Sequence, residues 1–427
     1  MSQMKILMRS GKNPTERYSP GTALATNYMG DNLGNLVFTN ASHWLLTTSK
    51  QETVSNHLRI NPDDALWIND NFDAFVIPLA NAFRPSFQEP LKRLTKLISE
   101  LEIPVMVLGV GAQAPLSQNF SGLKAIDEDV KNFMNAVLEK SARVGVRGEV
   151  TQKYLSSLGY SEVDIIGCPS MFIDRDQLPG LQNKIELDED SKIALTFSPY
   201  VKKGEKIVES SSEEYKNLDY FVQDIYTMRT IVTGTPKDTD GRFPGIPDYW
   251  SHPLFVNGRA RFHVDPISWM NDLKSYDFSF GTRIHGTIAA LTSGIPATLI
   301  AHDSRTSELA EYFGIPYVNS TSLTPETKVS DLSELWDSSN LIAGHAERFN
   351  TISNFIKLNG FEVATRSEME NSISQARNQK ALAAEPTMSN SKNSNRMKNL
   401  SIRNRLEIAK FMTLTPSPKN RLRRLYN

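Results

Sequence analysis

Apolar positions along the chain follow two periods. Short apolar runs at residues 74–78, 104–109, 143–146 and 163–166 fit buried strands. Between them, apolar residues recur every three or four positions. Leu91, Leu94, Ile98 and Leu101 share one face of a helix expected over residues 87–101, and further helices are expected over 128–141 and 151–158, the last stopped by Gly159. A second series comes after the Pro- and acid-rich stretch 179–190, which reads as a linker. It comprises a strand at 192–197, a helix at 213–230, a Gly/Pro-rich loop at 233–258, a helix at 266–274 and a strand at 276–280. A helix at 285–293, a strand at 297–301, a helix at 306–313 and a strand at 317–318 come next, then helices at 332–336 and 344–358. Strand and helix alternating at this spacing predict right-handed crossovers and mostly parallel sheets. The expected organisation is an N-terminal α/β domain over 1–178, a second over 191–360, and a linker with a basic tail over 361–427.

Composition narrows the class. The chain has 427 residues, 39% of them hydrophobic, with 47 Lys+Arg against 48 Asp+Glu. The single cysteine, Cys168, excludes an internal disulfide framework and points to the cytoplasm. No apolar run approaches the ~20 residues that span a bilayer, and residues 1–10 lack the apolar stretch of a secretory signal. The net charge of −1 hides two unlike parts. Residues 375–427 carry twelve Lys/Arg and two acids, a charge of +10, which leaves −11 on residues 1–374. Residues 384–395 read as a flexible linker and 402–412 as a short basic amphipathic helix. Three readings of the tail are open: contact with an anionic membrane leaflet, an assembly segment, or a solubilising extension. Nucleic acid is disfavoured, because the body is acidic and no aromatic-basic platform accompanies the tail.

The most informative stretch is Asp277-Phe-Ser-Phe-Gly-Thr-Arg-Ile-His-Gly-Thr, continuing through an Ala/Leu helix to Gly294-Ile-Pro296. A strand ends at Gly281 and a helix starts shortly after. Gly281 and Thr282 are expected to present backbone N–H groups at the helix start, where the dipole favours an anion. Arg283 adds a planar fork of donors, and His285 is able to carry a proton. Strand ends of this kind are where α/β sheets bind ligands. Arg305 lies at another strand-to-helix passage, with Ser304 or Thr306 as its cap, and Asp303 and Glu308 are secondary proton-transfer candidates. Gly109-Val-Gly-Ala-Gln-Ala114 superficially fits a dinucleotide fingerprint. Pro115 argues against a helix there, and Asp127 and Asp129 are misplaced for the ribose contact. Gln113 is instead a candidate polar contact for a substrate. No His-Glu-x-x-His spacing supports a metal, and no phosphate-binding loop of the nucleoside-triphosphatase type is present.

These pieces together resemble the polysaccharide pyruvyl transferase family. Gly281-Thr-Arg-Ile-His-Gly286 looks like its signature. Asn27-Tyr-Met-Gly-Asp31 resembles its N-terminal loop, Gly109-Val-Gly-Ala-Gln113 its first-domain glycine loop, and Val146-Arg147 with Thr151 its Arg-x-x-x-Ser/Thr segment. Ile166-Gly-Cys-Pro-Ser170 sits where members often have Asp-Pro. The resemblance implies two Rossmann-like halves facing a cleft, as in GT-B glycosyltransferases. It implies phosphoenolpyruvate as co-substrate, with no further cofactor and no metal, and a sugar or glycan acceptor that becomes a pyruvate ketal. It assigns donor binding and catalysis to Arg283 and His285, and a second donor-binding Arg to Arg147; Arg305, by its own strand-to-helix position, is a further candidate to reach the donor phosphate. Asp31 is a candidate to take a proton from, or bind, an acceptor hydroxyl, with Asn32 beside it. Tyr249 and Trp250 in the 233–258 loop are candidates to stack on the sugar. The competing readings are a nucleotide-sugar glycosyltransferase and a non-catalytic glycan- or anion-binding relative.

Overall fold

The computed structural model describes residues 3–233, 245–248, 251–381 and 388–389. In the first half, strands β1 (Met4–Met8), β2 (Gln51–Ser55), β3 (Ala74–Pro78) and β4 (Val105–Leu108) form a parallel sheet in the order β2-β1-β3-β4. A parallel pair, β5 (Val144–Val146) and β6 (Val163–Ile165), continues it through a bridge between Val110 and Val146. Every residue of β3 is buried, as a central strand with helices on both faces requires. The Gln88–Ser99 helix buries Leu91, Leu94, Leu97 and Ile98 on this sheet.

The second half is a seven-stranded sheet in the order β12-β11-β10-β7-β8-β9-β13. Its members are β7 (Ile193–Thr196), β8 (Leu218–Val222), β9 (Ala260–Phe262), β10 (Phe278–Gly281), β11 (Ala297–Ala301), β12 (Tyr317–Asn319) and β13 (Met388–Ser389). All neighbours are parallel except β13, which runs antiparallel to β9. The molecule is therefore α/β, with two Rossmann-like halves, each a mostly parallel sheet flanked by helices.

Some expected elements are not found as read. Residues 213–230 are not a single helix: a helix ends at Glu214, β8 comes next, and a new helix spans Ile225–Thr233. Tyr215 adopts extended backbone and ends the first helix. Leu218, Tyr220, Phe221 and Val222 are then buried between β7 and β9, and this two-sided burial outweighs the helical period. Also unforeseen are β1, β2, β9 and the helices Pro20–Thr26 and Gly34–Leu46. Tyr249, Trp250 and the 402–412 segment lie outside the described residues. Residues 361–381 are not the linker expected: Ala364 N–H donates to Leu45 O, and the Arg366–Ala381 helix buries Met369 and Ala376 against the first half, while Met388–Ser389, within the expected 384–395 linker, pair with β9. Among the described residues no helix is long and apolar enough to cross a membrane.

The two halves share their cores. Leu33, Leu36 and Val37 of the first half pack with β7 and β8 of the second. Ser304 N–H donates to Ala114 O (3.1 Å), and Ala114 N–H to Ser304 Oγ (3.0 Å). Glu308, in the Ser304–Phe313 helix, reaches across to the first turn of the Glu149–Ser157 helix. There it accepts from Thr151 N–H (3.1 Å) and from the Thr151 hydroxyl (2.9 Å). A carboxylate at a helix N-terminus meets both free amides and the positive end of the dipole. Burial nevertheless dominates and pushes the Glu308 carboxyl up to about 7, against the pull of Thr151 and Arg147.

Linkage sets the sign of the stability effect. In the unfolded chain Glu308 ionises near 4.5, whereas the folded protein holds the proton to about 7. Folding stability from this group is thus present below the unfolded value and lost as pH rises through 7. Glu308→Gln, which does not ionise, is expected to lose less stability than the wild type between pH 5 and pH 8 in urea denaturation. Equal losses would remove Glu308 as the titrating group.

Candidate active site

The carboxyl ends of both sheets face the seam, and the loops after β1, β3, β4, β5, β7, β8, β10 and β11 meet there. Gly281 closes β10 at φ +152°, and a Cβ on it would lie 2.1 Å from Thr196 O. Only glycine permits that approach. The Arg283 N–H donates to Thr196 O (3.1 Å), and the fully buried Thr282 hydroxyl accepts from Ser198 N–H (2.7 Å). The helix begins at Ile284, so its first-turn amides belong to Ile284 and His285, not to Gly281 and Thr282 as expected. Gly281 and Thr282 fasten β10 to β7 and so fix the direction in which the chain leaves the strand.

Arg283 and His285 are the side chains aimed by that exit. Arg283 Nη2 lies 3.5 Å from Asp224 Oδ2, its guanidinium sits 5.4 Å over the Tyr200 ring, and its buried Nε has no partner among the described residues. His285 is buried against the first half. A Cβ on Gly34 would come within 2.7 Å of the His285 Cβ, the ring stacks on Phe38 at 6.3 Å, and Nε2 is 3.6 Å from Cys168 Sγ. Burial first, then the charges of Arg147, Arg305 and Arg283, lower the imidazole pKa to about 3. The ring is therefore neutral at physiological pH. Burial also pushes the Cys168 thiol up, so the residue standing where the family often has Asp is uncharged and does not raise the imidazole.

Arg147 comes directly after β5. Its Nε donates to Gly109 O (3.1 Å), its guanidinium lies 6.0 Å from the Phe38 ring centre, and its buried Nη2 has no partner among the described residues. Arg305 pairs with Asp303. Asp303, rather than Ser304 or Thr306, is the helix cap, with Thr306 reciprocating as in a capping box. Asp303 carries the negative charge here: its carboxyl, despite burial, is held below the usual range by Arg305 and His302. Gln223 and Ser198, at the ends of β8 and β7, are buried with side-chain polar atoms that have no partner among the described residues. Arg147, Arg283, His285 and Arg305 thus converge, with donors of Arg147 and Arg283 unpartnered among the described residues, an arrangement chemically able to hold an anion beside an imidazole.

The remaining candidates line the rim or serve structure. Asp31 is exposed at φ +71°, in reciprocal hydrogen bonds with Asn27 (2.8 Å each). Asn32 Oδ1 is occupied by Gly34 N–H (2.8 Å). Gln113 is exposed beside Phe83, whose carbonyl accepts its N–H. No helix opens after Gly109, so the loop lacks the helix N-terminus of a dinucleotide site. Among the described residues no group of three His, Cys, Asp or Glu is placed to hold a metal. Sequence reasoning missed Tyr200, Asn81 and Arg84, which lie in the loops after β7 and β3. The rule that ligands sit at carboxyl ends of strands would have flagged those loops, had it been applied to every strand.

The fold is parallel α/β, and its cations cluster where the two halves meet. The family model of the polysaccharide pyruvyl transferases matches residues 55–304, more than half of the chain. The chain belongs to that family and is a transferase of polysaccharide biosynthesis acting on a sugar or glycan. No curated protein matches it. Among solved structures, it is similar to the UDP-GlcNAc 2-epimerase of Methanocaldococcus jannaschii in complex with UDP-GlcNAc and UDP. Identity is 12% over 83% of this chain and 99% of that one, with a TM-score of 0.44. A putative UDP-N-acetylglucosamine 2-epimerase from Listeria monocytogenes matches at 9% identity over 88% of this chain and 95% of that one, TM-score 0.41. MurG of Acinetobacter baumannii matches at 11% identity over 88% and 99%, TM-score 0.32.

The neutral imidazole is directly testable. In an NMR titration of the ligand-free protein the His285 ring is expected to stay neutral down to about pH 4, as its pKa of about 3 requires. A His285 transition near 6.5 would show that the three guanidinium groups and burial do not act on it as described.

Proposed function

We propose that this enzyme transfers the pyruvyl group of phosphoenolpyruvate to two hydroxyls of a sugar, forming a pyruvate ketal and releasing phosphate. The observation that carries the reading is the convergence of Arg147, Arg283 and Arg305 on His285, in a chain of this family. Phosphoenolpyruvate carries a carboxylate and a phosphate, and fixed guanidinium forks suit both. The body of the chain is acidic, so local cations must capture the donor.

In the proposed reaction a proton adds to the methylene carbon, and the enol carbon becomes an oxocarbenium-like centre. One sugar hydroxyl attacks that carbon and loses its proton. The bond from that carbon to the phosphate oxygen breaks, phosphate leaves, and the second hydroxyl attacks and loses its proton. His285 is the proposed proton donor. It is neutral in the free site, and the negative charge of a bound donor among the three arginines raises its pKa, so the imidazole becomes charged when the substrate that needs its proton is present. Asp31 on the rim is the proposed acceptor-side base, with Asn32, Gln113, Tyr249 and Trp250 as acceptor contacts. No cofactor beyond phosphoenolpyruvate and no metal is required by this scheme.

Phosphoenolpyruvate is expected to raise the melting temperature by mass action, and Arg283→Ala to abolish most of the rise. His285→Ala is expected to lower turnover at saturating donor by ~10²–10⁴-fold, the usual worth of a positioned acid. Stabilisation by a nucleotide sugar but not by phosphoenolpyruvate would replace this reading with the glycosyltransferase one.

The same proposal places the enzyme in the cytoplasm, with the +10 of residues 375–427 in peripheral contact with an anionic leaflet. The chain without those residues is expected to lose co-sedimentation with phosphatidylserine vesicles at low salt, whereas the full chain loses it only at high salt. Equal sedimentation of both would sink the membrane contact.

A further inference from the structure

Arg84 lies beside the site but has been given no role so far. It lies after β3 in the first half, while Arg305 opens the helix after β11 in the second. With the Asn81 amide oxygen turned toward them, that one oxygen accepts from Arg84 Nη1 and Arg305 Nη1 at 2.5 Å each. Two guanidinium groups from opposite halves are therefore joined through a single acceptor. Arg305 has Asp303 as its counter-ion. Arg84 makes no salt bridge among the described residues, and its buried Nε has no hydrogen-bond partner there. Its guanidinium is held 5.8 Å from the Phe87 ring centre, on which Arg9 also rests at 5.9 Å. Aromatic support fixes the position of a cation without neutralising it.

Burial, and after it repulsion from the like charge of Arg305, weakens the hold of Arg84 on its own proton. One neutral amide oxygen, with attraction from Tyr200 and Asp31 that does not offset burial and Arg305, is a poor counterweight. A tetrahedral dianion, with three oxygens to share between two forks, would satisfy both arginines.

We propose that Arg84 and Arg305, joined through Asn81, form a phosphoryl seat spanning the two halves of the enzyme. The seat is argued from this geometry. Only the source of the phosphoryl group rests on the pyruvyl-transfer reading: the donor phosphate, or a phosphate carried by the acceptor. Either way, occupation of the seat ties a residue of the first half to the second, and the affinity for the phosphorylated substrate depends on both.

The test uses the full chain and two probes, inorganic phosphate and phosphoenolpyruvate. Phosphate is expected to raise the melting temperature of the wild type. Arg84→Gln should lose at least half of that rise, while its ligand-free melting temperature is unchanged or higher, because a like charge has gone. A merely structural arginine would instead lower the ligand-free value and leave the phosphate increment intact. If Arg84→Gln does not fold, Arg84→Lys, which keeps the charge but not the fork, is read the same way. A parallel loss with phosphoenolpyruvate and a rise of ~10-fold or more in its KM assign the seat to the donor. An unchanged donor response with a raised KM for a phosphorylated acceptor assigns it to the acceptor. Stabilisation by phosphate through Arg84, with none by phosphoenolpyruvate, would keep the seat and overturn pyruvyl transfer. No phosphate effect on the wild type, or the full effect in the Arg84 variants, overturns the seat.

Discussion

Like charges gathered in a buried cleft are the constraint around which this molecule is arranged. Arg147, Arg283 and Arg305 surround one imidazole, and Arg84 stands against Arg305. Such a cluster is unfavourable unless each cation is anchored by something other than bulk water. The anchors are visible: Asp224 for Arg283, Asp303 for Arg305, the Gly109 carbonyl for Arg147, and aromatic faces of Tyr200, Phe38 and Phe87. What the anchors leave is unsatisfied donor capacity at Arg147, Arg283 and Arg84, and burial, with the charges of Arg147, Arg305 and Arg283, keeps the imidazole neutral.

The same constraint explains the seam. Cations contributed by both halves stay together only if the halves are held in register. That register comes from apolar packing of Leu33, Leu36 and Val37 into the second core, from the Ser304–Ala114 exchange, and from Glu308 at the start of the opposite helix. Gly34 lets the Gly34–Leu46 helix come close enough for His285 to pack on it. The interface is thus part of the site: the Gly281–Gly286 stretch lies where the two halves meet, with His285 against Gly34 and Phe38.

Much of this was legible in the residues. The short apolar runs at β3, β4, β7 and β11 and the amphipathic Gln88–Ser99 helix are explained by periodicity alone. Arg283 and His285 stand out as candidates because a strand-to-helix passage with those residue types has the chemistry to bind an anion. The 213–230 segment was misread, because a strand buried on both faces has no period of its own to separate it from a helix. The roles of Gly281 and Thr282 were misjudged for a related reason: a glycine needed for close backbone approach and a glycine offering an amide to a ligand look alike in sequence.

The sequence by itself determined the class of fold, the division into an acidic body and a basic tail, and the cationic character of the candidate site. These depend on local pattern and residue type. Only the tertiary structure decided that His285 is neutral, that Glu308 and Asp303 hold helix ends, and that Arg84 stands beside Arg305. A pKa is set by burial and by charges brought near from distant parts of the chain. A cation pair shared through one amide oxygen exists only after two loops more than two hundred residues apart have met across the seam.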